Sequence, residues 1–432
     1  MRWRAARPPP ASSPPSAARD RHPVTAHMAQ PSALAAFQAR WQAAPHDLGA
    51  SHSQTLPIAA LWALATPEEQ SRWATQPLDY AAPAGAAELR ERIVARYHGL
   101  RSRDIVCCAG AQEGLACVMR ALLGQYDHAV VVLPLYQPLE QVVTERAEAT
   151  GVPLEPDLTL DPDRVAAAIR PNTRLILTNF PNSPTGSVLD AARQDALVTL
   201  CRARGLWLIN DEVYRQTTRD PAAQAAPIAE DYERGVSINA LSKGFGLPGL
   251  RVGWVASRDA ALLRRIIAAK ALLSSCLSIP AELLAEVALR EEPRLVGAAR
   301  AIGKTNRRDL DALLDRFPGV FEPDPPRNLA FAFPRFRGRE GAMSFARRVA
   351  MEAGVVLLPS GLWRSRLAAV PEDGLRIALG QQAVPLGLRA LSAFLQTRSM
   401  MRTRRRPVPG IAVASRAPAR PLPPPAYAES RT

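Results

Sequence analysis

The chain has 432 residues, of which 47% are apolar, so it is too long for one small domain and can bury a sizeable core. We therefore expect two domains with additional terminal segments. No run of about eighteen uncharged apolar residues occurs in the sequence, which excludes a transmembrane helix.

The net charge of +14 lies mostly at the two ends of the chain. Residues 1–27 carry five arginines and one acid, and residues 398–432 carry eight arginines and one acid. These ends supply 11 of the 14 charges, so the middle is close to neutral and we predict no nucleic-acid partner. Both ends are rich in Pro, Ala, Ser and Arg, which predicts a disordered head (1–27) and a disordered basic tail (398–432).

The cysteines indicate a reducing compartment. Their number is odd and no pair has the spacing of a metal site: Cys107, Cys108, Cys117, Cys201 and Cys276. The six histidines are scattered, so the sequence predicts no metal site. The head has no apolar signal region, and we expect a cytoplasmic protein without a membrane partner.

Short β-branched runs alternate with helical patterns between about residues 105 and 256. The predicted strands are HAVVVL (128–133), RLILTN (174–179), LWLIND (206–211), VSINAL (236–241) and VGWVAS (252–257). One helical segment, 111–124, ends at Gly124, and another helix begins at Asp161–Pro162. This alternation predicts an α/β fold with a mostly parallel sheet and helices on both faces.

The pattern changes from about residue 280 to residue 397, where long helices alternate with a few strands. Two of these predicted strands are VVLLP (355–359) and LRIALG (375–380). We therefore expect a second, smaller α+β domain in this part of the chain.

Chemically distinctive residues follow the predicted strands, at the edge where ligands bind in such sheets. Tyr136 follows the first strand, NFPNSPTG (179–186) the second, Asp211 closes the third and Lys243 follows the fourth. Lys243 is one of only three lysines in the chain and precedes the loop GFGLPG (244–249). A lysine that ends a buried strand is expected to be desolvated, which favours the nucleophilic free amine and a Schiff base with a carbonyl.

Other groups at this edge fit pyridoxal phosphate. Asp211 is predicted to pair with the pyridine nitrogen, and Tyr136 to stack on the ring. Gly110–Ala111–Gln112 opens a helix whose free N–H groups attract phosphate, and Arg251 can clamp the same phosphate. GFGLPG also matches the dinucleotide pattern G-x-G-x-x-G, but a strand follows it instead of a helix, which argues against that site.

Over roughly residues 45–397 the sequence resembles the fold-type I pyridoxal-phosphate enzymes of the aminotransferase class I/II superfamily. The matching segments are SKGFGLPGLRVGW (242–254), NDEVY (210–214) and AGAQEGL (109–115). The resemblance implies catalytic roles for Lys243, Asp211 and Tyr214, with Tyr214 reaching the ring hydroxyl. It also implies a large pyridoxal-phosphate domain (76–280), with an N-terminal arm (28–75) and a C-terminal segment (281–397) that share the small domain.

Three further segments carry the resemblance. LDYAAPAGAAELRERIV (78–94) resembles the segment whose tyrosine, here Tyr80, reaches the neighbouring subunit's phosphate, which implies a homodimer with shared active sites. LRIALG resembles the segment whose arginine, here Arg376, binds the substrate α-carboxylate through its planar fork. LGASHSQTL (48–56) aligns with the loop over the substrate, which implies substrate contacts by Gly49 and His52.

The chain departs from the family pattern at three places. Where relatives have an asparagine that hydrogen-bonds the ring hydroxyl of the cofactor, this chain has Ser183, and Asn182 precedes it. We predict that both residues contact the cofactor; alternatively, Ser183 is a turn residue. Ala240 replaces a phosphate-binding serine, and we expect Ser242 to compensate. Ser51–His52–Ser53 is unusual and resembles a subgroup that includes capreomycidine synthase-like enzymes.

The resemblance implies an aminotransferase of amino acid metabolism that moves an amino group between an α-amino acid and a 2-oxo acid, with Lys243 carrying the proton. The alternative is a cyclase, lyase or oxidase that uses the same cofactor, with His52 as a second acid. A more remote alternative is a pyridoxal-phosphate-binding regulator, which requires a DNA-binding domain that the short head does not provide.

Overall fold

The computed structural model describes residues 32–325 and 327–404, with side chains up to residue 397. The helices are α1 Ala33–Arg40, α2 Ile58–Trp62, α3 Pro67–Thr75, α4 Ala87–Val94, α5 Ala111–Leu122, α6 Gln137–Thr144, α7 Pro162–Ala167, α8 Ala191–Arg204, α9 Ile228–Asp231, α10 Ala260–Ala271, α11 Ile279–Arg290, α12 Glu292–Arg316, α13 Gly341–Ala353 and α14 Val384–Arg404. The strands are β1 His46–Asp47, β2 Ile105–Cys108, β3 His128–Leu133, β4 Glu148–Pro153, β5 Thr173–Asn179, β6 Trp207–Asp211, β7 Gly235–Ala240, β8 Gly253–Ala256, β9 Phe331–Ala332, β10 Val355–Val356, β11 Leu358–Pro359 and β12 Leu375–Ala378.

Seven strands form the main sheet, in the order β2-β8-β7-β6-β5-β3-β4. Strands β3 to β7 run parallel to one another, whereas β8 runs antiparallel to both of its neighbours, β7 and β2. A parallel connection needs a crossover segment, and the chain between β7 and β8 contains only a short 3₁₀ turn. The predicted α/β fold with a mostly parallel sheet is confirmed.

The five predicted strands agree with the observed ones to within one residue at each end. Every residue of β3, β6, β7 and β8 is buried, as expected for aliphatic strands covered on both faces. Helix α7 begins at Pro162 with Asp161 as its N-cap, as predicted. Helix α5 ends at Leu122, two residues before Gly124, because Leu123 already has an extended backbone.

A second hydrophobic core lies outside the main sheet and joins the N-terminal segment to the C-terminal third of the chain. Its members come from α1, the C-terminal half of α12, α13, α14 and the small strands, and include Leu34, Phe37, Leu314, Phe345 and Leu391. VVLLP, predicted as one strand, is two: β10 pairs in parallel with β1, and β11 pairs antiparallel with β12. The strand divides at Leu357 because the chain changes its hydrogen-bonding partner there.

The pairing of β1 with the C-terminal strands brings the N-terminal segment to the edge of the main sheet. The Leu48 N–H donates to Val356 O at 3.0 Å, and the Ala378 N–H donates to Leu48 O at 2.7 Å. Leu48 is therefore fixed by hydrogen bonds on both sides, and residues 49–54 continue the chain from it. We call this six-residue segment, Gly49 to Gln54, the strap.

The predicted disordered head lies outside the described residues, as does the tail from residue 405 onwards. Helix α14 continues to Arg404, so the first seven residues of the segment predicted as a disordered tail are helical in the described structure. The sequence between residues 398 and 404 is rich in Arg and Met, which favour helix, and the first proline of the tail comes only at Pro407.

All five cysteines are free thiols. Within residues 32–325 and 327–404, no helix is long and apolar enough to cross a membrane. The same residues contain no group of three or more His, Cys, Asp or Glu side chains that could hold a metal ion.

Candidate active site

Lys243 lies in the turn after β7 and extends its amine over the edge of the sheet. Its Nζ donates a hydrogen bond to Ser51 Oγ at 2.8 Å and lies 5.4 Å from the centroid of the Tyr214 ring. The side chain is half-buried, and its desolvation and nucleophilic role are still predictions. No ion pair of the described residues includes the amine, and its hydrogen-bond partner among them is Ser51 Oγ.

The glycines that follow Lys243 allow the strap to pass very close to the lysine loop. A Cβ on Gly246 would lie 2.1 Å from Gln54 O, and Gly246 also has a left-handed φ of +69°. On the other side of the strap, a Cβ on Gly380 would lie 3.0 Å from His52 O. The Ser53 N–H donates to Lys243 O at 3.1 Å, so the strap and the lysine loop form one hydrogen-bonded unit.

Asp211 ends β6, one strand away from Lys243, and is buried. Burial raises the pKa of Asp211 to about 7, although the Val213 N–H at 3.3 Å and the charge of Lys243 act in the opposite direction. Its backbone carbonyl accepts from Asn179 Nδ2 at 2.8 Å, which ties the ends of β5 and β6 together. A cationic ring nitrogen in contact with Asp211 would stabilise its ionised form.

The N-terminus of α5 and Arg251 meet at one point. Gly110 is the N-cap residue and has a φ of +85°, and a Cβ there would lie 2.5 Å from Arg251 Nη2. The guanidinium also donates to Ala109 O at 3.4 Å and to Pro248 O at 3.0 Å. A helix N-terminus and an arginine with no acidic partner among the described residues provide a cradle for a phosphate group.

Near this cradle, Ala240 is buried against Val213, Tyr214 and Phe331, and Ala111 packs on the same cluster. Ala240 offers no hydroxyl at a position where one would face the cradle. Ser242 is half-buried beside Lys243, so its predicted compensating contact with the phosphate is still a prediction, as is the contribution of Gln112.

Arg376 is buried, with 2% of its surface exposed, and no carboxylate forms an ion pair with it in the described part of the chain. Its Nη1 donates to Ser183 Oγ at 3.2 Å and its Nη2 to Gly49 O at 2.9 Å, both neutral acceptors. The guanidinium carbon lies 5.3 Å from the Phe331 ring centroid and 4.9 Å from that of Trp363. Burial lowers the pKa of Arg376. A buried cation without a counter-ion is a strong site for an incoming carboxylate.

The loop after β5 places Ser183 and Asn182 differently. Ser183 contacts Arg376, and its backbone N–H donates to Asn179 Oδ1 at 3.0 Å. Both amide atoms of Asn182 have partners in the protein: Nδ2 donates to Pro134 O, in the segment after β3, at 2.9 Å, and Oδ1 accepts from the hydroxyl of Thr185 at 2.7 Å. The predicted cofactor contacts of both residues stay predictions, but Asn182 already has a structural role.

Two tyrosines are near the charged groups of the site. Tyr214 is buried, and its ring meets that of Phe331 edge-on, with the centroids 5.0 Å apart. Tyr136 is 37% exposed, and partial burial together with the neighbouring Tyr214 raises the pKa of its phenol. The charges of Arg251 and Arg376 both act on Tyr136 in the opposite direction, and its stacking on the cofactor is still a prediction.

His52 is turned along the strap. Its Nδ1 lies 2.9 Å from Ser53 O and 3.1 Å from Gln381 Nε2, and Gln381 also donates to His52 O at 2.7 Å. Gly49 is fixed from both sides, because its N–H donates to Asp47 Oδ1 at 2.7 Å and its carbonyl accepts from Arg376. Gly49 thus lies at the proposed carboxylate site, whereas a substrate contact of His52 is still a prediction.

Tyr80 lies away from the other site residues and is 87% exposed. The base of its segment is firmly held: Lys270 Nζ donates to Pro83 O at 2.7 Å, and the Ala86 N–H donates to Glu282 Oε1 at 3.2 Å. Nearby Leu78 is 85% exposed. A rigid base that ends in exposed apolar side chains is typical of a segment that a partner covers.

Sequence reasoning assigned no role to three groups of this site, although Ser51 and Asn179 lie in segments that it singled out. Ser51 reaches Lys243 across 192 positions of sequence, and Trp363 covers Arg376 from a 3₁₀ turn of the second core. Asn179 closes β5 and bridges to Asp211, and its position at a strand end was the only signal that could have identified it.

The sequence matches the family described as aminotransferase class I and II over residues 51–381. Capreomycidine synthase of Streptomyces vinaceus is 28% identical over 326 residues, which cover 74% of this chain and 82% of that protein. Arginine–pyruvate transaminase of Pseudomonas aeruginosa is 35% identical over 185 residues, which cover 41% of this chain and 47% of that protein. Among solved structures, the PLP-dependent cyclase OrfR superimposes with a TM-score of 0.77 at 26% identity, over 89% of this chain and 100% of that chain.

Proposed function

Because this chain belongs to the aminotransferase class I and II family and its cofactor is therefore pyridoxal 5′-phosphate, we propose that it is an aminotransferase. It moves an amino group between an α-amino acid and a 2-oxo acid. Bound pyridoxal phosphate supplies an aldehyde that condenses with amines and a ring that withdraws electrons.

One observation carries this proposal: the same strap contacts the Lys243 amine and the buried Arg376 guanidinium, and neither group forms an ion pair with a described residue. Ser51 Oγ contacts the Lys243 amine, and Gly49 O contacts the Arg376 guanidinium. A substrate that carries an amine and a carboxylate on one carbon needs two such groups at a short separation. An α-amino acid fits this requirement.

Each residue of the site then has a role that its surroundings support. Lys243 would hold the cofactor through its amine and would move the substrate α-proton. Asp211 would pair with the pyridine nitrogen, and Tyr214 and Ser183 would be the partners of the ring hydroxyl. Arg251 and the first N–H groups of α5 hold the phosphate.

The test is a screen of single half-reactions. Purified protein loaded with pyridoxal phosphate is mixed with one amino donor at a time, and the cofactor absorbance is followed. A productive donor should convert the cofactor to its amine form, and pyruvate or 2-oxoglutarate should restore it. If no amino acid converts the cofactor in this reversible way, the chain is not an aminotransferase.

Replacement of Arg376 tests the carboxylate site. Loss of one partner of a desolvated charge pair costs about 2–5 kcal/mol. Arg376→Ala should therefore raise KM for amino acids roughly thirty-fold or more while the cofactor stays bound. Arg376→Lys, which keeps the charge but loses the planar fork, should have an intermediate KM. Arg202→Ala, which removes a surface ion pair with Glu233, is the matched control and should leave KM unchanged. An unchanged KM in both Arg376 variants would mean that the carboxylate binds elsewhere.

A second candidate is a cyclase or lyase reaction on the same cofactor, supported by the similarity to capreomycidine synthase and to the cyclase OrfR. His52 is the residue that separates the two candidates, because a leaving group on the substrate side chain needs a second acid. In an aminotransferase, His52→Phe should keep the half-reaction within about tenfold of the native rate. Loss of product with normal α-proton exchange would favour the cyclase or lyase.

We further propose that the active unit is a homodimer in which Tyr80 of one subunit reaches the phosphate of the other. The support is the rigid base and exposed end of the Tyr80 segment. The exposed Leu78 extends the apolar surface that a second copy would cover.

A further inference from the structure

We propose that Ser51 is a positioning residue for Lys243: its hydroxyl holds the free amine in the place from which it takes and returns the substrate α-proton. This inference rests on the proposed use of Lys243 as the proton carrier. It gives a role to Ser51, to which the sequence analysis assigned none.

The contact itself is short and specific. Lys243 Nζ lies 2.8 Å from Ser51 Oγ. The aromatic ring of Tyr214 is farther away, with its centroid 5.4 Å from Nζ. Ser51 is the hydrogen-bonding partner of Nζ among the described residues. A lysine amine on a flexible four-carbon chain has many orientations, and one fixed partner selects among them.

The strap holds this hydroxyl firmly because it is anchored on both sides of Ser51. Two residues before it, Gly49 O accepts from Arg376 Nη2 at 2.9 Å. Two residues after it, the Ser53 N–H donates to Lys243 O at 3.1 Å, and the next N–H, that of Gln54, donates to Gly380 O at 2.7 Å. The position of the Ser51 hydroxyl is therefore set by the strap backbone and not by its contact with the amine.

The same anchors determine which kinetic constant Ser51 should affect. Arg376 binds the substrate carboxylate through side-chain atoms that Ser51 does not contact, so removal of the hydroxyl should leave KM unchanged. The proton transfer depends on the orientation of the amine, so kcat should fall. A residue that merely supported the strap would affect both constants and the binding of the cofactor.

The first experiment measures exchange of the substrate α-proton with deuterium by NMR, with the loaded enzyme and a saturating amino acid. This readout applies equally to a transaminase and to a cyclase. Ser51→Ala should lower the exchange rate about tenfold, the value of one ordinary hydrogen bond, with KM and cofactor content unchanged. Ser51→Thr restores the hydroxyl and should recover most of the rate. A native exchange rate in Ser51→Ala, or failure of the threonine to restore the rate, would overturn the proposal.

The second experiment needs no catalysis. The chain has three lysines, Lys243, Lys270 and Lys304, so ¹⁵N-lysine labelling of the cofactor-free protein gives a simple spectrum. Ser51→Ala should shift the Lys243 Nζ signal and speed its hydrogen exchange with water. The signal of Lys270, which donates to Pro83 O, should not move.

The control for this experiment is Ser53→Ala, which removes a hydroxyl from the same strap but keeps the backbone bond to Lys243 O. It should leave the Lys243 Nζ signal in place. If Ser51→Ala also leaves the signal and its exchange rate unchanged, Ser51 does not hold the amine. If the native protein binds no cofactor and exchanges no α-proton, the proposed function fails, and the labelling experiment still decides the contact.

Discussion

At the scale of single residues, the site contains two buried ionisable groups that form no ion pair with any described residue. Asp211 ends β6, and Arg376 lies between Phe331 and Trp363. Groups of this kind cost stability and are found mostly where a ligand completes them. Pyridoxal phosphate and an amino acid carry the complementary charges.

The cost of Asp211 should appear in the pH dependence of stability in the cofactor-free protein. Burial raises its pKa from an ordinary value of 3.8 to about 7. Between these values the folded protein holds a proton that the unfolded chain has released, so the free energy of unfolding falls as pH rises. Between pH 5 and pH 8 this contribution amounts to about 2–3 kcal/mol.

Urea unfolding of the cofactor-free protein at pH 5 and pH 8 checks this prediction. Asp211→Asn cannot ionise at this position. The difference in the free energy of unfolding between this variant and the native chain should therefore shift by about 2–3 kcal/mol in favour of the variant when the pH is raised from 5 to 8. Asp157→Asn is the control, because hydrogen bonds from Thr159 lower the pKa of that exposed carboxylate and it titrates outside this range. Parallel pH profiles for the native protein and Asp211→Asn would contradict the account.

The strand patterns were enough to propose Lys243 and Asp211 as site residues, because parallel strands bring their carboxyl ends to one edge of the sheet. Arg251 was proposed from its place in the loop between Lys243 and β8. Ser51 and Trp363 could not be found in this way. They reach the lysine and the arginine from segments outside the main sheet, and no local pattern records which distant residue a loop will contact.

At the scale of elements, the site depends on the close approach of the strap to the lysine loop. The long strands were predictable because their aliphatic residues are buried on both faces. VVLLP was predicted as a strand, but its division into β10 and β11 and the pairing of β10 with the two-residue strand β1 were not, since these depend on distant partners and not on local composition. These short strands nevertheless decide where the strap begins.

Gly246 is the residue at which this approach is tightest. Gly246→Ala would place a methyl group 2.1 Å from Gln54 O in a left-handed conformation, so the strap must move away from the lysine loop. We expect a loss of more than about 2 kcal/mol in the free energy of unfolding, together with weaker cofactor binding. Unfolding in urea and cofactor retention on dialysis measure the two effects.

Gly249 provides the matched control, because it lies in the same loop and a Cβ there would meet nothing within 4 Å. Gly249→Ala should change stability by no more than about 0.5 kcal/mol. Equal changes in stability and cofactor retention for Gly246→Ala and Gly249→Ala would show that the close approach of the strap does not require glycine at position 246.

At the scale of the whole molecule, the described residues leave two large side chains of one segment uncovered. Tyr80 and Leu78 are almost fully exposed, although Lys270 and Glu282 hold the base of their segment. In the proposed homodimer, this segment completes the phosphate cradle of the second subunit. Activity should then depend on residues from two chains.

Hybrid dimers test this arrangement. Lys243→Ala should be inactive, and Tyr80→Ala should be weakened by loss of the phosphate contact. After the two variants are unfolded together and refolded, half of the dimers pair one subunit of each kind, and each of these contains one intact site. Recovery of about a quarter of the native activity per subunit is expected. No recovery, or a fully active monomer by light scattering, would exclude shared sites.

The central claim is that Lys243 carries the cofactor, and it has a direct test. Protein loaded with pyridoxal phosphate is reduced with borohydride and digested, and the modified peptide is identified by mass spectrometry. Because the only lysines in the chain are Lys243, Lys270 and Lys304, the assignment is unambiguous. We predict one phosphopyridoxyl group per chain, on Lys243, and none in Lys243→Ala. Label on Lys270 or Lys304 instead, or unchanged labelling of Lys243→Ala, would contradict the account.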